Sequence, residues 1–565
     1  MFQKITARAC EVLEKEFSIK DVTFSWRRPQ QKDHGDLATS IAMQLGKQLK
    51  KNPLEIAKVI AEGLQGHPEI ERTEVAGPGY VNIWLKPQAL MSALSETIGA
   101  CSPILTRKGE KPVIIEYSQP NIAKPLGIHH IITTIVGQSL VNLHRHLGYP
   151  TIAINHLGDW GTQFGKLAVA LELWGNSSVD ECTLEDLLNL YVRFHTEAET
   201  DATLEDRARA AFLKLEQGDP GLRAFWKSVV DVTMQEINTT YERLGVAFDF
   251  VHGESFYEDK MLPIIEEGKK KGVFKTGEKG ALIAEFPPET HIPPAIVLKG
   301  DGATIYHTRD LATVRFRIDH FHPECIIYLV DTAQENYFRQ LFAMVGQLGW
   351  DVPTLEHAQI GRMSFTDRNM STRKGNILRL KEVLDEGVKR AQAVIAEHRD
   401  SIQTDSEDEL AEMMGVGSVV YGILSQNRRM SMVFDWDKVL SLEGNSAPYL
   451  QYTYARSRSV LRKGEVASPT LPTTVAALTD HERSLVSTLL EFPGALEDAR
   501  ASRMPHTLAN YLYALCQEFN AFYNTEPILK SEEPARSLRL ALTSLVATVL
   551  KTGAEILTLR VPERM

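Results

Sequence analysis

The sequence contains little cysteine: five residues in a chain of 565. They stand at positions 10, 101, 182, 325 and 516, so they are isolated from one another and odd in number. Neighbouring cysteines therefore build neither a disulfide framework nor a Cys-x-x-Cys metal site. We expect a protein of a reducing, cytoplasmic compartment, without structural zinc or any other resident metal.

Long apolar runs are missing as well. No run approaches the roughly 20 residues that span a bilayer, and the start of the chain shows no basic region leading into an apolar block. We therefore expect neither membrane attachment nor a secretory signal.

Positive charge is not in excess, because 62 Lys and Arg stand against 73 Asp and Glu and give a net charge of -11. This balance argues against a protein that coats nucleic acid indiscriminately, but it allows a local basic face. Residues 421–465 hold seven basic and four acidic residues, whereas acidic residues collect at 405–412. The length suggests about three or four domains and excludes a single small binding module.

Three regions differ in their pattern. Residues 1–105 predict helices, one of them over Asp36 to Leu49, and two strands around a Gly-Pro-Gly turn, which is typical of a small α+β domain. Residues 106–390 alternate short apolar strands with helices, and residues 391–565 show no strand signal and predict an all-α bundle. The predicted fold class is α/β, with a doubly wound, Rossmann-type central domain that carries a helical insertion.

A strand, a helix and a strand follow one another early in the central region, at Val113 to Tyr117, about His129 to Leu147, and Thr151 to Asn155. This βαβ unit places ligand chemistry at the carboxyl end of its first strand and at the N-terminus of its helix. A strand ending at Asp331, a helix and a strand at about His357 to Met363 predict the second half of the sheet.

Two segments suit a polyphosphate. Lys124, His129 and His130 lie between the first strand and its helix, where we expect free backbone N–H groups. The alternative for a histidine pair at a helix start is a cap or a surface feature. The second segment is the cationic loop from Met370 to Asn376, which could close on a nucleotide and stabilise charge on its α-phosphate; alone, it would be read as a solvated basic turn.

Together these segments resemble the class I aminoacyl-tRNA synthetases, and among them the arginyl-tRNA synthetases. The resemblance runs along essentially the whole chain and depends on several long motifs in the family's order. These motifs are Gly77 to Asn82, Glu116 to Leu126, Asn155 to Gly165, Leu244 to Phe250, Gly253 to Ser255, Lys299 to Ala312 and Tyr449 to Arg456.

The chain departs from the family pattern in both nucleotide motifs. Gly127-Ile128-His129-His130 stands where the family usually has His-x-Gly-His, and Asn369 and Thr372 replace the lysines of Lys-Met-Ser-Lys-Ser. A cation that stabilises the phosphate must then come from Arg373, Lys374 or Lys124. The family's use of a lysine just ahead of the first motif favours Lys124.

The resemblance implies ATP-dependent ligation of L-arginine to tRNA(Arg) through an arginyl-adenylate, with Mg²⁺ accompanying the ATP. No side-chain nucleophile is needed, so catalysis consists of positioning and charge stabilisation. The implied catalytic residues are Lys124, His130, Arg373 and Lys374. The implied ATP-binding residues are Ala123, Lys124, His129, His130, Met370 and Ser371.

An arginine pocket can be argued from the substrate. A guanidinium is planar, permanently charged and carries five donors, so it needs a carboxylate, further acceptors and a flat wall. Tyr306 and Asp310 lie four residues apart and share a face if this segment is helical; an isolated Asp here would otherwise be read as a helix cap. The resemblance assigns both to the guanidinium with Gln334, and assigns Glu116 and Asn121 to the α-amino end. Because buried acceptors reject amino acids without a guanidinium, no editing domain is expected.

The C-terminal region mixes tyrosines with arginines, which suits stacking of unpaired anticodon bases and neutralisation of phosphates. The alternative is that the tyrosines are core and the arginines a solvated face. The resemblance implies tRNA contacts by Tyr449, Tyr452, Arg456 and Arg458. It also assigns residues 1–105 to tRNA binding and residues 391–565 to anticodon binding, and it suggests a monomer.

Two other functions stay open at this point. In a class I synthetase for another amino acid, Tyr306, Asp310 and Gln334 would bind a different side chain. A paralogue that binds RNA but has lost activation would fit the altered first motif. The retained Lys124 and His130 favour the active enzyme.

Overall fold

The structure is a computed structural model that describes residues 2–565 except 21, 25, 30, 176–177, 301, 366–378, 401, 467–468 and 473.

The N-terminal region folds as helices on a three-stranded antiparallel sheet of strand order β1-β3-β2. Its elements are α1 Phe2–Phe17, β1 Leu37–Thr39, α2 Ile41–Leu49, α3 Pro53–Leu64, β2 Ile70–Ala76, β3 Tyr80–Leu85 and α4 Pro87–Ala100. The predicted helix over Asp36 to Leu49 is wrong at its start, because residues 37–39 pair with β3 and the helix begins only after Ser40. Three residues are too few for alternating burial to be distinguished from a helical pattern.

The central region is built on a five-stranded, all-parallel sheet of order β11-β10-β4-β5-β6. Its first part comprises β4 Val113–Glu116, α5 His129–His146, β5 Thr151–Asn155, α6 Thr162–Trp174, α7 Leu184–Ala198, α8 Thr203–Glu216, α9 Pro220–Leu244 and β6 Phe250–Val251. Its second part comprises α10 Met261–Lys270, β7 Phe274–Thr276, β8 Leu282–Ala284, β9 Ala295–Leu298, α11 Tyr306–Phe321, β10 Cys325–Tyr328, α12 Glu335–Gln347, β11 Thr354–His357 and β12 Met363–Phe365. The doubly wound prediction is confirmed, but the strand predicted at about His357 to Met363 is wrong, because β11 ends at His357 and β12 begins only at Met363.

Side chains alternate between the two faces of this sheet. Val113 and Ile115 pack into the core that includes α5, whereas Ile114, Ile326 and Tyr328 pack into a second core with α10, α11 and α12. Glu116, the last residue of β4, pairs in register with Tyr328. By alternation Glu116 therefore lies on the α11 side, which brings its carboxylate under a helix.

Among its described residues, the C-terminal region is helical apart from one strand. Its elements are α13 Leu380–Glu397, α14 Glu407–Leu424, β13 Met432–Phe434, α15 Trp436–Val439, α16 Ala447–Lys463, α17 Asp480–Leu490, α18 Phe492–Ser502, α19 Pro505–Thr525 and α20 Ala535–Ile556. The strand β13, which the sequence did not predict, pairs in parallel with β12 and joins the bundle to the central region. Of the helices in the described ranges, none is long and apolar enough to cross a bilayer.

The N-terminal region docks on α17 of the bundle through arginines. The Arg483 guanidinium donates to Asp36 Oδ2 at 2.6 Å and to the Leu85 carbonyl at 3.1 Å. From the other side, Arg28 donates to Ser484 Oγ at 2.9 Å. Asp36 is only 4% exposed, so this contact is a charge-assisted hydrogen bond shielded from water.

Candidate active site

The site lies where the sheet reverses its winding. The chain leaves β4 toward β5 on one side, while β10 lies on the other side. Crevices at the carboxyl ends of two such strands are the usual ligand sites of doubly wound sheets. The predicted substrate residues lie near this point: Glu116 ends β4, Asp310 is the fifth residue of α11, and Gln334 is exposed in the turn after β10.

The loop after β4 is shaped by the Gly-Asp-Trp-Gly segment. The Ile122 N–H donates to the Gly158 carbonyl at 3.1 Å, and the Gly158 N–H donates to the Pro120 carbonyl at 3.0 Å. A Cβ on Gly158 would lie 2.3 Å from Asn121 Oδ1, so any larger residue there would displace the Asn121 side chain. The segment fixes the backbone of Asn121, whose side chain is exposed.

Asp159, the acid of the same segment, organises a second loop. It accepts hydrogen bonds from the Ser255 N–H at 2.9 Å and from Ser255 Oγ at 2.6 Å. Gly253 passes so close that a Cβ there would lie 2.3 Å from the Asp159 carboxyl. These contacts place Glu254 at the site. The sequence matched this residue to a family motif but assigned it no role.

The histidine pair lies at the start of α5. His130 Nδ1 accepts a hydrogen bond from the Gly127 N–H at 3.1 Å, which leaves the ring hydrogen on Nε2. Burial, with a smaller contribution from His129, lowers the pKa of His130 to about 3, so the ring is neutral at physiological pH. The ring of His129, which is exposed, lies 3.9 Å from that of His130 between centroids. A neutral Nε2–H is a suitable donor to a phosphate or ribose oxygen.

The backbone between β4 and α5 is less available than predicted. The N–H groups of Ile122 and Gly127 are occupied as described, and the Ala123 N–H donates to Thr233 Oγ1 at 3.1 Å. The expectation of free N–H groups is therefore wrong at these positions, because the loop uses them to hold its own shape. The side chain of Lys124 also lies in this loop, with its Nζ 5.3 Å from the Tyr191 ring centroid.

The cationic loop predicted to close on ATP lies outside the described residues. This applies to Met370, Ser371, Arg373 and Lys374, and equally to Asn369 and Thr372. The chain that follows is described: Arg379 forms a β-bridge with Gly127, and the Leu380 N–H donates to the Leu126 carbonyl at 2.8 Å. The residues that follow the cationic segment are therefore hydrogen-bonded directly to the residues just before the histidine pair of α5.

The predicted guanidinium pocket is rich in acids. Asp310 accepts a hydrogen bond from the Tyr337 hydroxyl, and burial raises its pKa to about 6. Glu254 Oε2 lies 3.0 Å from Arg309 Nη1. Burial raises the pKa of Glu254 to about 7; the charge of Arg309 opposes this shift, and the neighbouring Asp310 adds to it. Tyr306, the first residue of α11, is 69% exposed. The predicted helix is confirmed, and it carries both Tyr306 and Asp310.

Glu116 already has an internal cation. Its carboxylate forms an ion pair with Arg317 of α11, which is fully buried, and accepts a hydrogen bond from Gln119 Nε2 at 2.6 Å. Burial alone would raise the pKa of Glu116, but the charge of Arg317 outweighs it and lowers the pKa. The sequence reasoning missed Arg317; the available signal was a charged residue between Val314 and Ile318 on the buried side of a helix.

The predicted tRNA residues divide into two groups. Tyr452 and Arg456 line a groove of about 1020 Å³ in the C-terminal bundle, where Arg456 lies between the rings of Tyr452 and Tyr523, 4.6 and 4.9 Å from their centroids. Tyr449 and Arg458 lie outside the described lining of this groove. Arg458 is paired with Glu563 at 2.8 Å, and the Tyr449 hydroxyl accepts a hydrogen bond from Asn520 at 3.0 Å.

Three family models together match most of the chain. Residues 98–436 match the catalytic domain of the class I tRNA synthetases (R), residues 450–565 the DALR anticodon binding domain, and residues 2–85 the arginyl tRNA synthetase N terminal domain.

Curated relatives and solved structures agree with these models. The arginine–tRNA ligase of Fusobacterium nucleatum is 39% identical over 94% of this chain and 93% of its own length. That of Chloroflexus aurantiacus is 39% identical over 93% of each chain. The structure of Thermus thermophilus arginyl-tRNA synthetase has the same fold, with a TM-score of 0.82 at 23% identity over 100% of both chains. The chain therefore belongs to the arginyl-tRNA synthetases of class I.

Proposed function

We propose that this chain activates L-arginine with ATP and transfers it to tRNA(Arg). The observation that carries the proposal is the charge balance at the carboxyl ends of β4 and β10. Four acids converge there among the described residues, against two arginines: Glu116, Asp159, Glu254 and Asp310 against Arg309 and Arg317. A site with excess negative charge, in which burial raises the pKa values of Asp159, Glu254 and Asp310, favours a cationic substrate.

The guanidinium end is bound by Asp310 of α11 and by Glu254, the first residue of the 3-10 helix at 254–260. Asp310 and Glu254 supply the negative charge, the Tyr306 ring supplies a flat wall, and Gln334 supplies an acceptor from the opposite strand end. Lysine would satisfy the charge but not the planar set of donors. Glu116 and Asn121 hold the α-amino end, which directs the carboxylate toward ATP.

The chemistry proceeds in two transfers. The arginine carboxylate attacks the α-phosphate of ATP, pyrophosphate leaves, and the 2′-hydroxyl of the terminal tRNA adenosine then displaces AMP from the adenylate. Lys124 stabilises charge on the phosphate, and the neutral His130 donates from Nε2. Arg373 and Lys374, which follow β12 in the sequence, add cations. Mg²⁺ enters with ATP and is held by its phosphates; the described residues contain no group of three or more His, Cys, Asp or Glu arranged for a metal.

The working form that we propose is a cytoplasmic monomer. The five cysteines are free thiols, which suits a reducing compartment. The parts needed for one tRNA are present in one chain, since the N-terminal region and the bundle are docked on each other through Arg483.

Arginylation of total tRNA by the purified chain tests the proposal. We expect arginine-dependent charging, and pyrophosphate exchange that requires tRNA. Charging with a different amino acid would identify a synthetase of another specificity. Binding of tRNA without arginine-dependent release of AMP would identify an inactive paralogue. Exchange at full rate without tRNA would contradict the expected dependence on tRNA.

The groove in the bundle gives a prediction for the tRNA. Replacing Tyr452 by alanine should raise the KM for tRNA about 5- to 100-fold, because it removes a ring on which an unpaired base stacks. Tyr452→Phe keeps the ring and should stay within about twofold of wild type, while the KM for arginine is unchanged in both variants. A KM for tRNA that is unaffected by Tyr452→Ala would remove the groove from the tRNA interface.

A further inference from the structure

Glu116 and Arg317 form a buried ion pair where α11 packs on the sheet, and packing a helix on a strand does not require charged side chains. Arg317 is 0% exposed and Glu116 is 7% exposed. A buried ion pair is a weak source of stability, because the cost of removing both charges from water offsets most of their attraction. A pair of apolar side chains would join α11 to the sheet at least as well, which suggests that this pair serves the site.

Both oxygens of the Glu116 carboxylate have a partner. Arg317 contacts Glu116 Oε2, while Gln119 Nε2 donates to Oε1 at 2.6 Å. Gln119 is in turn held by its own N–H, which donates to Asn155 Oδ1 at 3.2 Å. The orientation of the carboxylate is therefore set from α11, from the loop and from β5. Only a small part of Glu116 stays accessible, and this part is where a ligand can make contact.

No other described group facing Glu116 supplies a permanent positive charge. Burial lowers the pKa of His156 to about 4, although the charge of Glu116 opposes this, so the ring is neutral at physiological pH. The hydroxyls of Tyr257 and Tyr328 are neutral as well, because burial raises both pKa values. The titratable groups around this carboxylate come from three elements and one strand end: Arg317 and Asp310 on α11, Tyr257 on the 3-10 helix at 254–260, Tyr328 on β10, and His156 after β5.

We propose that Arg317 is a positioning residue for the α-amino end of the substrate: it keeps Glu116 ionised and in one orientation, so that the carboxylate can bind the ammonium group of arginine. This inference depends on the proposed function, in which Glu116 holds the α-amino group. Without Arg317, the carboxyl would be desolvated next to Asp310, another acid. It would then take up a proton and lose its attraction for an ammonium group.

A comparison of two ligands tests this role. The ligands are arginine and 5-guanidinopentanoate, which is arginine without its α-amino group, and their dissociation constants are measured by calorimetry on the full chain with saturating tRNA(Arg). The wild-type protein should prefer arginine about 10- to 100-fold, the value of one hydrogen bond to a charged group. Arg317→Met should reduce this preference to about onefold and leave binding of the analogue within about twofold.

Two further variants separate positioning from folding. Glu116→Gln/Arg317→Met removes both charges, so its unfolding temperature should stay near that of wild type while the preference for arginine stays lost. Arg317→Lys keeps the charge without the planar fork and should retain part of the preference. Arg315→Met, on the same helix but in an exposed pair with Asp319, is the matched control and should behave as wild type.

The measured preference distinguishes the role of Arg317 from that of Glu116. A wild-type preference for arginine in Arg317→Met overturns the role of Arg317 alone; if this variant does not fold, Arg317→Gln, which keeps hydrogen-bond donors without the charge, is measured in its place. A wild-type preference in the double variant, which lacks the Glu116 carboxylate, overturns the role of Glu116 in the proposed function. A wild-type protein that binds neither ligand overturns the proposed function itself.

Discussion

Replacing Asp310 by asparagine is expected to raise the KM for arginine about 100-fold or more, with the KM for ATP within about twofold of wild type. Removing one partner of a desolvated charge pair costs about 2–5 kcal/mol. Asparagine is nearly the same size and can still accept the hydrogen bond from the Tyr337 hydroxyl, so the packing of α11 is preserved. Aminoacylation at varied arginine and varied ATP measures the two constants.

Asp319→Asn is the matched control for this change. Asp319 lies on the same helix, but it is 54% exposed and paired with Arg315, so its loss should change neither constant. If Asp310→Asn raised both KM values equally, Asp310 would be a structural residue of the helix rather than a ligand of the guanidinium.

The carboxyls of Asp310 and Glu254 predict that arginine binding depends on pH. Burial raises the pKa of Asp310 to about 6 and that of Glu254 to about 7, and a bound guanidinium favours the ionised form of each. Arginine binding must therefore release protons at low pH, so affinity should be highest above about pH 7 and fall as the pH drops through 7 and then 6. Dissociation constants measured between about pH 5.5 and 8.5 would show this, and Asp310→Asn should lack the lower of the two steps.

Replacing Lys124 by alanine is expected to lower kcat about 100- to 1000-fold, the usual cost of removing one donor that stabilises transition-state charge. The KM for arginine should change little, because the effect falls on the phosphate. Pyrophosphate exchange and single-turnover transfer would show whether both steps are slowed. Lys124→Arg keeps the charge and should recover part of the rate.

The control for Lys124 is Lys227→Ala. Lys227 is 72% exposed on α9 and paired with Asp231 at 3.0 Å, so its removal should leave kcat unchanged. A wild-type rate in Lys124→Ala would transfer the role to Arg373 or Lys374, and the double alanine variant of these two residues would then carry the loss.

The sequence predicted the parts of the fold that repeat or lie close along the chain. The strand, helix and strand between residues 113 and 155 follow from apolar periodicity, and the spacing of Tyr306 and Asp310 predicts their common helix. The strand β13 was missed because Met432, Val433 and Phe434 make a run too short to give a periodic signal.

Two of the acids at the candidate site, Glu116 and Asp310, were named from the sequence, but their partners in the structure were not. Arg317 and Tyr337 were missed because each contacts a residue far away along the chain, Glu116 and Asp310 respectively. A charged or hydroxyl side chain on a helix carries no sign of such a partner until the sheet order is known. The sequence also did not show that the backbone N–H groups after β4 are occupied, because their partners within the loop become evident only in the folded structure.

The strand order has a consequence for folding during synthesis on the ribosome. In the finished sheet β4 lies between β5 and β10, yet β10 is synthesised more than 200 residues after β4. At about 5–20 residues per second, the ribosome needs roughly 10–40 s to supply that neighbour. During this interval β4 has one open edge and Glu116 has no arginine beside it. The water-exposed carboxylate keeps this edge polar at the centre of the future sheet, and charge is one of the devices by which unpaired edges avoid pairing with another chain.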